Sequence, residues 1–247
     1  MELPVFAGTA LLLDLDGTLL DLAPTPDAVL VPPGLLQCLL TLGHELQGAL
    51  AIVTGRPIEQ IDALLPGVAP SVAGEHGGVF RHGPAGLAER VPLPELPPDW
   101  LSQAHAIVAR HPGALLEQKR RGLVLHYRLA PQHGPALHQA LLDLAGHDSG
   151  FQILHASMAW EIRPRGVDKG FAVATLMQRV PFAGRRPLFL GDDVTDRDGI
   201  AVAGQLGGAG LLVEDWFQGP AEVRQWLAEA ARLRAWPTLR PSSHLLK

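Results

Sequence analysis

The 247-residue chain is poor in the features that mark several protein classes. Its one cysteine, Cys38 in "LLQCLLTL", permits no internal disulfide, which excludes a disulfide-stapled scaffold and suits a reducing compartment. No apolar run approaches the ~18 residues that a membrane span needs, and "MELPVFAGTALLLDLDG" has no basic region ahead of its apolar stretch. Neither a membrane anchor nor a secretion signal is therefore expected. Long Lys/Arg runs are missing as well. "KRR" at 119–121 is the densest basic spot, and a formal net charge of −5 argues against nucleic acid or an anionic membrane as a partner. There is no internal repeat and no low-complexity tract: the 27 glycines and 22 prolines fall between apolar blocks, where they read as turns. The expectation is a soluble, cytoplasmic protein, with 47% hydrophobic residues to build its core.

What the chain does have is an ordered alternation of apolar blocks. "TALLLDL" (9–15) reads as a strand buried on both faces, "PPGLLQCLLTLGHEL" (32–46) as a helix, "GALAIVTGR" (48–56) as a second strand and "PIEQIDALL" as a helix. The same order returns late, with helix 168–180, strand 185–193, helix 196–206, strand 208–214 and a closing helix 220–235. Strands linked through helices by short connections predict a parallel α/β sheet. Between the halves the texture changes to proline-rich links, helices around 100–111 and 131–145, and alternating strands 123–129 and 158–164, which predict an inserted α+β module. The tail from 237 onward has loop composition.

In an open parallel sheet ligands gather beyond the carboxyl ends of the strands, and there this chain places acids. Asp14 and Asp16 follow the first strand on one side, because strand side chains alternate. Asp192 and Asp193 follow a later strand, with Asp196 about one helical turn on. Carboxylates converging on one crevice repel unless a cation or a shared proton intervenes, and an all-oxygen site suits Mg²⁺. Thr54, Gly55 and Arg56 leave a third strand end, where a hydroxyl and backbone N–H groups at a helix start suit phosphate oxygens. Any one cluster reads equally well as a turn or a helix cap, but three at successive strand ends favour a site.

With "DLDGT" (14–18), "TGR" (54–56), "DKG" around Lys169 and "GDDVTD" (191–196) in this order, the chain resembles the haloacid dehalogenase superfamily of phosphotransferases. The resemblance implies a Rossmann-like parallel-sheet core (1–83 and 167–247) with an inserted α+β cap domain (84–166). It implies that Asp14 is the nucleophile, that Asp16 is the general acid and base, and that Thr54 and Lys169 bind the transferring phosphoryl group, with Thr18, Gly55 and Arg56 beside it. It further implies Mg²⁺ held by Asp14, the Asp16 main-chain carbonyl and Asp192, with Asp193 acting on the ion through water or by orienting Lys169, and Asp196 fixing the loop.

"VAGEHGG" (72–78), "EQKRRGLVLHYR" (117–128) and "WEIRPRGVDKG" (160–170) extend the resemblance to the trehalose-6-phosphate phosphatases. The implied substrate is a sugar phosphate, trehalose 6-phosphate, with Glu117, Lys119 and Glu161 on the distal glucose. His126, Arg128, Arg163 and His76 are further substrate candidates of the cap. Tyr127 reads as cap core, and "GEHG" reads as either a sugar contact or a tight turn. One departure stands out: Arg197 replaces the glutamate usual after "GDDVTD". Other sugar phosphates, sucrose phosphate or a mannosyl-phosphoglycerate, remain alternative substrates, as does a non-catalytic sugar-phosphate sensor. A sensor would be expected to have lost Asp14, Asp16 or Lys169, and all three are present.

Overall fold

The computed structural model describes residues 2–23, 28–68, 71–146, 150–156 and 158–242. The chain divides into two compact units, 1–91 with 167–247, and 92–166.

The first unit begins with β1 (Thr9–Leu13), α1 (Leu35–Glu45), β2 (Leu50–Val53), α2 (Ile58–Leu64) and three short strands, β3 (Ser71–Gly74), β4 (Val79–Arg81) and β5 (Glu89–Arg90). The second unit contributes α3 (Trp100–Ala109), β6 (Leu115–Gln118), β7 (Leu123–His126), α4 (Gly134–Ala145), β8 (Phe151–Ala156) and β9 (Ala159–Pro164). The chain returns to the first unit with α5 (Lys169–Leu176), β10 (Arg186–Gly191), α6 (Asp196–Gln205), β11 (Ala209–Leu212), α7 (Val213–Trp216) and α8 (Pro220–Leu233). Residues 237–242 form neither helix nor strand, and the rest of the tail lies outside the described residues.

The larger sheet has the order β11-β10-β1-β2-β3-β4-β5, parallel through β3 and antiparallel at β4 and β5. All five residues of β1 and all four of β2 are buried, as expected for strands covered on both faces. Each buried leucine of β1 contributes about 1.5–3 kcal/mol relative to exposure, which anchors the loop that follows it. The helices carry matching stripes: Leu35, Leu39 and Leu42 in α1, and Val223, Trp226, Leu227 and Ala230 in α8 recur at helical spacing. From β1 the chain steps one way to β2 and β3, while β10 and β11 lie on β1's other side. The crevice beyond the carboxyl ends of β1 and β10 is thus a topological switch point, the place where open α/β sheets hold ligands.

The smaller sheet, β6-β7-β9-β8, is antiparallel throughout. Leu123, Leu125, Tyr127, Phe151 and Ile162 pack with Trp100, Ile107, Leu137 and Leu141 of the two helices into its own core, where Tyr127 was expected. Residues paired across the strands share a face, so Glu117, Val124 and Glu161 lie together on the other side, with His126 and Arg163 at alternate positions along the same strands.

Three details differ from the sequence-based reading. The first unit runs on to Val91 and not to 83, because β5 pairs with β4 and adds that segment to the larger sheet. The strand expected over 123–129 stops at His126: the chain turns there, with the Ala130 N–H donating to the Tyr127 carbonyl at 2.9 Å. The strands β3, β4, β5, β6 and β8 were not anticipated: β3, β4 and β5 span only two to four residues, and β6 and β8 are edge strands whose partial burial leaves a weak pattern.

Candidate active site

β1 and β10 are neighbours in register, Leu13 opposite Leu190, and the Asp14 N–H donates to the Leu190 carbonyl at 2.9 Å. The residues that follow each strand therefore emerge side by side. Asp14 is 4% exposed, Lys169 4% and Asp196 not at all. Lys169 Nζ bridges the two acids, 2.7 Å from Asp14 Oδ1 and 2.5 Å from Asp196 Oδ1. Asp168 caps α5 by accepting from the Phe171 N–H at 2.7 Å, which fixes the helix whose first residue is Lys169. Thr18 Oγ1 lies 3.3 Å from Asp14 Oδ2 and 3.3 Å from Asp192 Oδ1, between the two carboxylates.

Two glycines make this convergence possible. Gly17 has φ of +78°, and a Cβ there would lie 2.0 Å from Asp192 Oδ2. A Cβ on Gly191 would lie 2.2 Å from Asp196 Cγ. Asp196 accepts through Oδ2 from the N–H groups of Asp192 (3.1 Å) and Asp193 (3.0 Å), so both of its oxygens are occupied and the loop is tied down.

The electrostatics follow from that crowding. Burial pushes Asp14 up to about 6, against the pull of the Lys169 ammonium. Asp196 rises to about 6 through burial and then the charge of Asp14, and Asp192 to about 6 through burial and then the charge of Asp196. Burial also works against the charge on Lys169, but Asp14 and Asp196 outweigh it and hold the ammonium above its ordinary value. Among the described residues, Asp14, Asp192 and Asp196 form a group whose ligand oxygens all lie within 4.8 Å of one another. Because Asp196 is saturated by Lys169 and two backbone donors, Asp14 and Asp192 are the pair with oxygens to offer a cation. An all-oxygen donor set with surplus negative charge, in a notch that a single Cβ would fill, fits a hard divalent ion.

The neighbouring loop after β2 supplies the remaining core candidates. Thr54 is buried and its hydroxyl accepts from the Arg56 N–H at 3.2 Å. Arg56 grips Asp16 through both of the latter's oxygens, Nε to Oδ2 at 2.6 Å and Nη2 to Oδ1 at 2.7 Å. Gly55 passes so close to His76 that a Cβ there would lie 2.5 Å from Nε2. His76 belongs to the larger unit, not to the cap with which it was grouped. It sits in a turn where Glu75, His76 and Gly77 all have positive φ, 52°, 54° and 93°. That costly conformation is held by backbone bonds to the β2 loop, from Glu75 N–H to the Arg56 carbonyl (3.1 Å) and from His76 N–H to the Thr54 carbonyl (3.0 Å), and by the Glu75–Arg90 ion pair at 3.0 Å. Asp193 stands outside the acidic group: it is exposed, and its Oδ1 accepts from the Val194 N–H at 2.6 Å. Arg197 also faces solvent, 3.8 Å from Glu214.

Within the smaller unit, Lys119 Nζ pairs with Glu161 Oε1 at 3.0 Å and His126 Nε2 meets Glu117 Oε2 at 2.9 Å on the helix-free face of the sheet. The hydrogen bond from His126 holds Glu117 below the usual carboxylate range. Arg163, 7% exposed, has no partner for Nε or Nη1. Arg128 is exposed in the turn after β7 and so does not share the face of His126 as alternation along a longer strand implied. The sequence reading missed Gly17 and Gly191 as space-makers, Asp168 as a cap and Arg56 as the partner of Asp16. Only Asp168, an aspartate directly ahead of an apolar helix, left a local signal.

A family profile described as trehalose-phosphatase matches residues 12–214. The trehalose-6-phosphate phosphatase of Escherichia coli (strain K12) is 40% identical over 222 residues, covering 87% of this chain and 83% of that protein. Among solved structures, a trehalose-6-phosphate phosphatase related protein superposes with a TM-score of 0.70 at 21% identity, covering 91% of this chain and 97% of the other. A haloacid dehalogenase-like hydrolase from Bacteroides thetaiotaomicron superposes with a TM-score of 0.62 at 13% identity, covering 91% and 98%. At those identities both share the fold.

Proposed function

The chain belongs to the trehalose-phosphatase family of phosphoric monoester hydrolases, and from that premise we propose that it hydrolyses trehalose 6-phosphate to trehalose and phosphate through an aspartyl-phosphate on Asp14. The observation that carries the reading is the buried triad of Asp14, Lys169 and Asp196 beside Asp192, at the carboxyl ends of adjacent strands.

In the first step an Asp14 carboxylate oxygen attacks phosphorus as the bond from phosphorus to the sugar oxygen breaks, and Asp16 gives its proton to that oxygen. In the second, Asp16 takes a proton from a water whose oxygen attacks the phosphorus of the acyl phosphate, releasing phosphate and restoring Asp14. Lys169 sets the Asp14 carboxylate by holding Oδ1, and its charge together with the Thr18 and Thr54 hydroxyls suits the negative phosphoryl oxygens. A magnesium ion held by Asp14 and Asp192, with the Asp16 carbonyl that the resemblance implies, supplies the charge neutralisation that lets a carboxylate approach a phosphate dianion. Asp193 is outside that pair of ligands and acts on the loop.

The polar face of the smaller sheet supplies specificity. A disaccharide offers hydroxyls and no charge beyond its phosphate, and Glu117, Lys119 and Glu161 provide paired donors and acceptors for such groups. We place the enzyme's action in the cytoplasm, a reading that the lone cysteine supports; among the described residues no helix is long and apolar enough to cross a membrane. The test is a panel of sugar phosphates assayed with Mg²⁺: trehalose 6-phosphate should have the highest kcat/KM. Faster turnover of sucrose 6-phosphate or glucose 6-phosphate would reassign the substrate.

A further inference from the structure

The arginine of "TGR" looks from sequence like a phosphate ligand, and the structure gives it other work. Its guanidinium meets Asp16 as a two-pronged fork, at 2.6 and 2.7 Å, while Nη1 donates to Gln60 Oε1 of α2 at 3.2 Å. The arginine's own backbone is anchored twice, its N–H on Thr54 Oγ1 at 3.2 Å and its carbonyl under the Glu75 N–H at 3.1 Å. The Arg56 side chain is 10% exposed and that of Asp16 30%, so the fork is sheltered and the carboxylate is the partner that faces solvent. Asp16 itself sits in a short loop closed by the Gly17 N–H on the Leu20 carbonyl at 2.8 Å, two residues past the nucleophile.

We propose that Arg56 is a positioning residue for Asp16 and not a ligand of the transferring phosphoryl group; the proposal rests on the phosphatase reading above. A carboxylate oxygen has two lone-pair directions, and a fork takes one on each oxygen. The outer ones remain for the proton exchanged with the leaving alcohol and then with the attacking water. Planar two-point contact fixes the plane of the carboxylate as well as its place, which a single point charge does not do. Turning these two donors to a phosphate would leave Asp16 unaimed at the step that needs it. The positive-φ turn at Glu75–Gly77 then has a purpose: it braces the backbone from which Arg56 reaches.

The experiment compares Arg56→Gln and Arg56→Lys with wild type, in Mg²⁺, on the preferred sugar phosphate and on p-nitrophenyl phosphate, whose phenolate leaves without a proton. Inorganic phosphate serves as the probe of the phosphoryl site. Loss of an aimed general acid should lower kcat on the sugar phosphate about 100-fold. KM for the sugar phosphate and inhibition by inorganic phosphate should stay within about threefold, as should the initial burst of p-nitrophenolate. Arg56→Lys should recover only part of the loss, since it restores the charge and not the fork. A tenfold weakening of phosphate inhibition with equal losses on both substrates would make Arg56 a phosphoryl ligand and overturn the proposal. Unchanged kinetics in both folded variants would overturn it too. The wild-type arm reports separately on the function: turnover of a different sugar phosphate changes the substrate and leaves the Arg56 comparison intact, whereas no turnover of any phosphate ester removes both.

Discussion

Replacing Gly17 by alanine tests how closely the two strand ends must approach. A Cβ at this position would lie 2.0 Å from Asp192 Oδ2 and 2.4 Å from Asp192 Cγ, where real contacts do not fall below 3.0 Å. The Asp192 carboxylate must therefore retreat by about 1 Å, and a displacement of that size in a catalytic constellation costs on the order of 100-fold in rate. Backbone strain adds to it, because φ at Gly17 is +78° and an L-residue there costs about 1–2 kcal/mol. For a chain of this length each kcal/mol lowers Tm by about 2–4 °C. The two effects separate by assay: Tm of the metal-free protein reads the strain, and kcat with the Mg²⁺ concentration for half-maximal activity reads the displaced carboxylate. We expect a fall in Tm of a few degrees, a kcat lower by about two orders of magnitude and half-maximal activity reached only at higher Mg²⁺. Wild-type kcat and half-saturation in a folded Gly17→Ala protein would refute the convergence of Asp14 and Asp192.

Three further outcomes follow from the same geometry. Asp14→Asn should abolish turnover while substrate still binds by calorimetry, because the amide fills the space and is no nucleophile; measurable turnover would remove Asp14 from the chemistry. In metal-free protein, Asp14 and Asp192, the pair with oxygens to offer the ion and both raised to about 6, bind protons more tightly folded than unfolded. The stability they confer is complete below about pH 4 and is lost as pH rises through 6, by up to a few kcal/mol, and stabilisation by Mg²⁺ should grow over that window as the ion takes the protons' place. Melts from pH 4.5 to 7.5 with and without Mg²⁺ check this, and the difference from Asp14→Asn isolates the site; a metal effect independent of pH would contradict it. Glu161→Gln should raise KM for trehalose 6-phosphate about 10- to 100-fold and leave p-nitrophenyl phosphate unaffected; equal effects on both would exclude a sugar-specific role for the Lys119–Glu161 pair.

How much of this was legible in advance depended on whether a feature was local. β1 and β10 announced themselves as solid apolar runs because both faces are buried, and their terminal acids stood out against those runs. The division of labour among the acids was not local. Asp192 and Asp193 are neighbours in sequence, yet only the first turns toward Asp14, because the second accepts a bond from its own loop. Gly17 reads as a turn glycine, and the need for its missing side chain comes from a carboxylate on a strand far along the chain. Arg56 belongs to a phosphate-binding motif in appearance, and its partner is chosen by the meeting of two loops. In the smaller unit, β7 and β9 showed alternation, while β6 and β8 at the sheet margins did not, since their faces are only partly buried.

The central claim is that Asp14 carries the phosphoryl group between substrate and water. Rapid acid quench during turnover of trehalose 6-phosphate with Mg²⁺, followed by peptide mapping, tests it directly. Phosphate should appear on the peptide containing Asp14 at Asp14 itself, and should be absent without Mg²⁺. Turnover with no phosphorylated peptide, or with the label on any other residue, would contradict the account.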